Sequence, residues 1–124
     1  MSMPDMPGFV DQLSGTSSRS KFEPTVSAAL TQGEEQAQRI ALTRELPPGW
    51  ALTILRTNSG SDRRGRIQTC GLYSAASSDG SQKRSGIFRS EIDRSGDAVY
   101  LRSLAETGTQ KLIVYSNCQK LGLF

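Results

Sequence analysis

Residues 66–94 read RIQTCGLYSAASSDGSQKRSGIFRSEIDR, and this stretch decides the fold class. Apolar and polar side chains alternate along both of its halves, which is typical of half-buried β-strands. In the second half, for example, Phe88 and Ile92 fall on one face. Asp79 and Gly80 lie between the halves and form a strong two-residue turn signal. The stretch therefore predicts a β-hairpin.

The same reading extends outward in both directions, because turn-forming residues divide the chain at short intervals. We predict six strands, over residues 38–46, 50–57, 66–75, 86–94, 98–106 and 110–117. A short helix over 33–42 is the alternative for the first of them. The connections are too short for the crossovers that parallel pairing needs. The predicted fold is all-β: an antiparallel meander of about six strands that forms a small barrel or sandwich.

Residues 1–36 differ from the rest, because they are rich in Ser, Thr, Gly and Pro and show no sustained period. They nevertheless contain 9 large apolar residues, a density close to that of the remaining 88 residues, which contain 24. We interpret them as an extended N-terminal arm that precedes a β domain over 37–124, with a mobile terminus as the alternative. The arm would dock through four apolar side chains, Phe9, Val10, Leu13 and Phe22.

Several predicted strands carry apolar residues on both faces, so both faces of the sheet need cover. We expect that cover to come from the arm, from the C-terminal residues or from a partner subunit. The last possibility points to a homo-oligomer or a larger assembly of protein subunits.

The densest cluster of charge lies in residues 61–66, SDRRGR. The chain has a net charge of +3, and residues 51–124 carry 11 basic against 6 acidic side chains. Residues on adjacent strands can form one patch, so we expect five basic side chains to combine for binding nucleic acid or an acidic partner: Arg63, Arg64, Arg66, Lys83 and Arg84. The alternative is a solvated hairpin tip that prevents edge pairing.

The composition argues against most enzymes and metal sites. The chain has no histidine and only two cysteines, so the commonest general base and the usual zinc ligand sets are missing. Phosphate-binding glycine loops and a nucleophile elbow are also missing from the sequence. Glu91 and Asp93 share a strand face, but neighbouring arginines predict ordinary ion pairs there. We expect no catalytic residues, no metal and no cofactor.

Cys70 and Cys118 are expected to be free thiols in a reducing cytoplasm, with one disulfide that closes a long loop as the alternative. The N-terminus lacks the features of a secretory signal, and no stretch approaches the ~20 apolar residues that span a bilayer. We therefore expect a protein that does not enter a membrane and is found in a virion or in the cytoplasm.

In composition the chain resembles the small meander-type β proteins that decorate or cement viral shells. The shared features are an N-terminal arm, short turns and few aromatic residues, and the resemblance transfers no residue roles. It implies a non-enzymatic structural or assembly protein, such as a capsid, cement or decoration subunit, that docks through its arm. The alternative is a β module that binds RNA or another nucleic acid through the arginine-rich hairpin.

Overall fold

The computed structural model describes residues 22–124, and its centre is one antiparallel sheet of five strands. The strands pair in chain order: β1 (Val26–Ser27), β2 (Ala51–Ser61), β3 (Ile67–Ala76), β4 (Lys83–Asp93) and β5 (Ala98–Ala105). The antiparallel meander is confirmed. Five strands rather than six form it, and the sheet does not close into a barrel. One helix lies on each of its two faces.

The turns predicted at Pro48–Gly49 and Asp79–Gly80 are present, because their residues suit the required backbone angles, whereas the turn predicted at residues 106–108 is the start of α2. Gly49 has a φ of 83°, and the Trp50 N–H donates to the Pro47 carbonyl over 3.3 Å, as a type II turn requires. Gly80 likewise has a positive φ of 76° at the tip of the β3–β4 hairpin. The turn at Gly80 connects β3 to β4, which pair antiparallel with Ile67 opposite Ile92.

The first predicted strand was wrong, and its helical alternative is confirmed: α1 covers Gln32–Thr43. Thr31 and Glu34 form a reciprocal capping box, which satisfies two backbone N–H groups at the start of the helix. The buried residues Gln38 and Leu42 are one helical turn apart. The local capping energy and this spacing favour helix over the alternating strand pattern.

The last predicted strand was also wrong, because residues Gly108–Lys120 form α2. The run KLIVYSN has high β-propensity, but tertiary packing overrides such a preference. The side chains that face the sheet are Val114, Cys118 and Leu121. Their spacing of four and three residues is helical, whereas the strand interpretation placed every second residue in the core.

Each helix packs on its own face of the sheet. On the first face, α1 covers a cluster formed by Leu42, Leu52, Tyr73 and Phe88. On the second face, α2 and the residues after it cover a cluster that includes Cys70, Ile87, Val114, Cys118 and Leu121. The chain itself therefore supplies the cover for both faces that the sequence pattern required.

Cys70 and Cys118 form a disulfide, which corrects the expectation of two free thiols. Both residues are fully buried, and their Cα atoms lie 6.1 Å apart. The bond joins β3 to α2 across 48 residues of sequence. Sequence separation alone carries no information about this proximity, because it arises only when α2 folds onto the second face.

The boundary predicted between arm and domain falls inside α1, and the described part of the arm packs on the sheet. β1 pairs with the end of β2, where Val26 lies opposite Ser61. The Thr25 side chain donates a hydrogen bond of 2.8 Å to the carbonyl of Leu121, just after α2. Residues 22–30 thus connect both sheet and helix.

Candidate functional site

The arginine-rich hairpin tip between β2 and β3 is organised by the Asp62 carboxylate. Its Oδ1 accepts backbone hydrogen bonds from Arg64 (2.9 Å) and Arg66 (3.0 Å), while Gly65 supplies a φ of 81°. Burial raises the pKa of this carboxyl, but hydrogen bonds from Gln68 and from the two backbone N–H groups outweigh burial and lower the pKa below its ordinary value. These hydrogen bonds fix the backbone of the turn and therefore the direction in which the Arg64 and Arg66 side chains leave it.

Two guanidinium groups of this tip, with a third from Arg102 on β5, converge on Glu91 of β4. Arg66 Nη1 lies 2.9 Å and Arg64 Nη2 3.4 Å from Glu91 Oε2, and Arg102 Nε lies 2.9 Å from Oε1. Glu91 is only 5% exposed. Burial raises the pKa of its carboxyl, but hydrogen bonds from Arg66 and Arg102 lower it more, so the pKa is below its ordinary value. The expected ion pairing of Glu91 is confirmed, with arginines other than its sequence neighbours.

Arg89 is held differently from the arginines around it. Its Nη1 donates to Gln68 Oε1 over 3.0 Å, and its guanidinium lies 5.0 Å above the ring of Phe22. Within residues 22–124 it forms no ion pair, and its buried Nε has no hydrogen-bond partner. Burial lowers the pKa of Arg89, and Arg102 lowers it further, against the opposing attraction of Glu91. A desolvated positive charge therefore remains without a contacting carboxylate.

These groups line a cavity of about 540 Å³, which we call the Arg89 cavity. It lies on the second face of the sheet, and its wall contains charged side chains of both signs. The basic ones are Arg63, Arg64, Arg89 and Arg102, and the acidic ones are Glu23, Asp62 and Glu91. Phe22, Pro24 and Leu121 add an apolar wall. The size is typical of a small-ligand pocket.

The structure separates the five basic residues that the sequence analysis combined into one patch. Arg63, Arg64 and Arg66 lie at the β2–β3 tip, whereas Lys83 and Arg84 pair with the opposite end of β3. Ten residues of β3 stand between the two groups, which corresponds to about 30 Å. One continuous surface of these five side chains is therefore not formed.

The individual environments of the exposed basic residues also differ. The Arg63 side chain is 84% exposed and pairs with Glu23 over 3.2 Å. At the other end of the sheet, the guanidinium of Arg84 lies 5.0 Å from the centre of the Trp50 ring. Each group thus already has a partner within the chain.

The arm residues are only partly within the described structure. Phe9, Val10 and Leu13 lie outside residues 22–124. Phe22 is partly buried, packs against the cluster on the second face and lines the Arg89 cavity. Of the four predicted arm residues, the structure therefore places Phe22, and it places it at this cavity.

The sequence analysis missed Arg89 and Arg102 as members of the site. Arg89 and Glu91 are two residues apart on β4, and both line the cavity, as the alternation of strand faces allows. The sequence alone could therefore have placed Arg89 on the same strand face as Glu91. The position of Arg102 beside Glu91 could not be predicted from the sequence, because a register shift between Arg89 and Ser90 alters the pairing of β4 with β5.

A second candidate surface is the outward side of α2, which we call the α2 outer face. It exposes three large apolar side chains, Leu112, Ile113 and Tyr115. Tyr115 also contacts the ring of Phe124, with 5.6 Å between the ring centres. These apolar side chains lie among exposed polar ones such as Gln110 and Lys120, while Val114 and Cys118 face the sheet.

Comparisons with protein-family models, with curated proteins and with solved structures find no match to this chain. Within residues 22–124, neither helix is long and apolar enough to cross a membrane. The function must therefore be inferred from the two surfaces described above.

Proposed function

We propose that this chain is a non-enzymatic structural subunit that joins copies of itself into a larger particle, such as a virion. The observation that carries the proposal is the α2 outer face, where Leu112 is 71%, Ile113 58% and Tyr115 42% exposed. Surface helices usually place polar residues on the side away from the core, and a cluster of large exposed apolar side chains there marks an interaction surface. In this chain the sheet buries only the inner side of α2.

The proposed occupant of the α2 outer face is the segment of residues 1–21 from a second copy. This segment carries six large apolar residues: Met1, Met3, Met6, Phe9, Val10 and Leu13. Twenty-one extended residues span about 70 Å, whereas a domain of about 100 residues has a radius of gyration of only about 13 Å. The arm is therefore long enough to leave its own domain and reach a neighbour.

Each contact of this kind is weak by itself. Burying one Val, Leu or Phe side chain contributes roughly 1.5–3 kcal/mol, and association costs at least about 4 kcal/mol of lost freedom. Three anchors such as Phe9, Val10 and Leu13 offset that cost only modestly. A particle that repeats the contact many times gains avidity without new chemistry, which suits a capsid, cement or decoration subunit.

The disulfide favours a virion over the cytoplasm as the place where the mature protein acts. Disulfides persist in oxidising environments, including virion surfaces, and are rare among cytosolic proteins. The bond between Cys70 and Cys118 is fully buried, so it serves the stability of the fold.

Sedimentation velocity over a range of concentrations tests the proposal. We expect the full chain to self-associate, and both Phe9→Ser/Val10→Ser/Leu13→Ser and Leu112→Ser/Ile113→Ser to shift it towards monomer. Leu55→Ser is the matched control, because Leu55 is 61% exposed on β2 and should leave association unchanged. A full chain that stays monomeric at every concentration would contradict the proposal.

Nucleic-acid binding is the competing proposal, and the distribution of charge supports it less. Arg64 and Arg66 already pair with Glu91, and Lys83 lies at the other end of the sheet. A filter-binding assay with labelled oligonucleotides separates the two proposals. Tight binding at low salt that falls steeply with added salt would favour nucleic acid, since released counterions produce that slope.

A further inference from the structure

The Arg89 cavity combines an uncompensated charge with an apolar wall, and these two features go beyond the proposed role in assembly. We propose that the cavity binds a carboxylate that is carried by an apolar body. The site is built from described residues alone and does not require the α2 outer face.

The positive charge that attracts the ligand is that of Arg89. The other arginines of the cavity wall have acidic partners: Arg63 pairs with Glu23, and Arg64 and Arg102 pair with Glu91. Among the described residues, the Arg89 guanidinium donates a hydrogen bond to the Gln68 amide, lies over the Phe22 ring and forms no ion pair. An arginine side chain has five N–H donors, and its planar fork matches a carboxylate. A carboxylate in the cavity would supply the missing counter-charge.

The charge balance of the wall selects a single negative charge over a polyanion. Four arginines and three carboxylates line the cavity, which leaves an excess of one positive charge. A nucleic-acid backbone would bring several phosphates near Glu23, Asp62 and Glu91. The negative charges of phosphates and carboxylates that lie close together repel each other. A monocarboxylate brings one charge and avoids that repulsion.

The apolar part of the wall selects what carries the carboxylate. Phe22, Pro24 and Leu121 form this part, and all three line the same cavity as Arg89. Pockets for small ligands are commonly of this kind, with apolar walls and a few polar groups that fix orientation. The ligand class is therefore an aromatic or branched aliphatic carboxylic acid.

The same chemistry is available from two sources. One is a free acid. The other is the arm, in whose sequence Asp11 follows Val10 and is two residues from both Phe9 and Leu13. The arm as a source uses the same stretch that the proposed function places on the α2 outer face, so it is an alternative to that docking, whereas the free acid is independent of the proposed function.

The test is a titration of the full ¹⁵N-labelled chain with phenylacetate, followed by amide shifts in NMR spectra. Phenylacetamide is the matched neutral probe. We expect saturable shifts at Gln68, Arg89 and Glu91 with phenylacetate, and none with the amide. Arg89→Met should weaken phenylacetate binding about tenfold or more, since a charged hydrogen bond is lost. Arg84→Met, at the far end of the sheet, should not change it.

Asp11→Asn distinguishes the two sources. If the arm occupies the cavity, this variant removes a competitor and tightens phenylacetate binding. If the cavity takes a free acid, the affinity stays as in the unmodified chain; both results support the site. Equal shifts with acid and amide, or no saturable shift in either the unmodified chain or Asp11→Asn, would overturn it. Sedimentation of the same samples shows separately whether the assembly proposal stands.

Discussion

The two helices cover opposite faces of one sheet, but the chain holds them by different means. α1 begins at a complete capping box, and Glu34 in its first turn pairs with Arg94 over 2.7 Å. α2 has no side-chain cap at Thr107 and is instead joined to β3 by the disulfide at Cys118. Polar contacts at its N-terminus and burial of Leu42 thus hold α1, whereas a covalent bond and apolar burial hold α2.

The difference bears on what each helix can do beyond covering the sheet. The outward side of α1 is mainly polar, with Ile40 as its large exposed apolar residue. The α2 outer face exposes three large apolar side chains, Leu112, Ile113 and Tyr115. The disulfide fixes α2 to β3 even though these side chains meet water.

The largest expected effect concerns the bond that fixes α2. Cys70→Ala/Cys118→Ala should lower the free energy of unfolding by about 4 kcal/mol, the loop-closure value for a bridge across 48 residues. Urea unfolding measures this loss. A reducing agent should lower the stability of the unmodified chain to a similar extent and leave the double variant unchanged. An unfolding midpoint equal to that of the unmodified chain would show that the bond does not hold α2.

The next effect concerns the charged side chains of the Arg89 cavity. Glu91→Gln removes the carboxylate from three arginines and should cost about 2 kcal/mol, because these partners can be only partly rehydrated. Arg89→Met should cost nothing or stabilise the chain, because it removes a desolvated charge without a contacting carboxylate. Thermal unfolding of both variants measures the contrast. The same sign of change in both would contradict this account of the cavity.

A smaller effect compares the two helix N-termini directly. Thr31→Ala should destabilise the chain by about 1 kcal/mol, because the Glu34 backbone N–H loses the Thr31 Oγ1 acceptor at 3.1 Å. Thr107→Ala is the matched change on α2 and should have almost no effect, since its side chain forms no cap. Urea unfolding of the two variants measures both changes in the free energy of unfolding. Equal losses in Thr31→Ala and Thr107→Ala would contradict a difference in capping between the helices.

The smallest effect is a change in acid sensitivity at α1. The hydrogen bond from Arg94 is the largest cause that lowers the pKa of Glu34, from 4.5 to about 2. Because the pKa is lower in the folded chain, this stabilisation is complete above pH 4.5 and is lost as the pH falls towards about 2. Arg94→Gln should cost about 1 kcal/mol or less at neutral pH.

That cost should shrink as the pH falls through this window, which unfolding curves at several pH values would show. Arg63→Gln is the control, because Arg63 forms an exposed pair with Glu23 elsewhere on the surface. A cost for Arg94→Gln that is independent of pH would mean that the pair does not act through the Glu34 carboxylate.

The candidate site was predictable in part. Arg64 and Arg66 were identified from their density in the sequence, and the ion pairing of Glu91 from its surroundings. The Arg89 cavity was not predictable, since it requires the register of β3 with β4 and the return of Phe22 onto the second face. The grouping with Lys83 failed because successive turns of a meander lie at opposite ends of the strand that joins them, here β3.

Local chemistry was sufficient for the turns and for the four long strands of the meander. Pro48, Gly49 and Gly80 favour particular backbone angles whatever surrounds them, and alternation marks which residues of a strand share a face. Tertiary packing decided the rest. The run around Ile113 has high β-propensity, and burial of Val114 and Cys118 against the sheet selects the helix instead. Burial and pairing between distant residues are properties of the folded chain, so they also created the disulfide and left Arg89 without a contacting carboxylate.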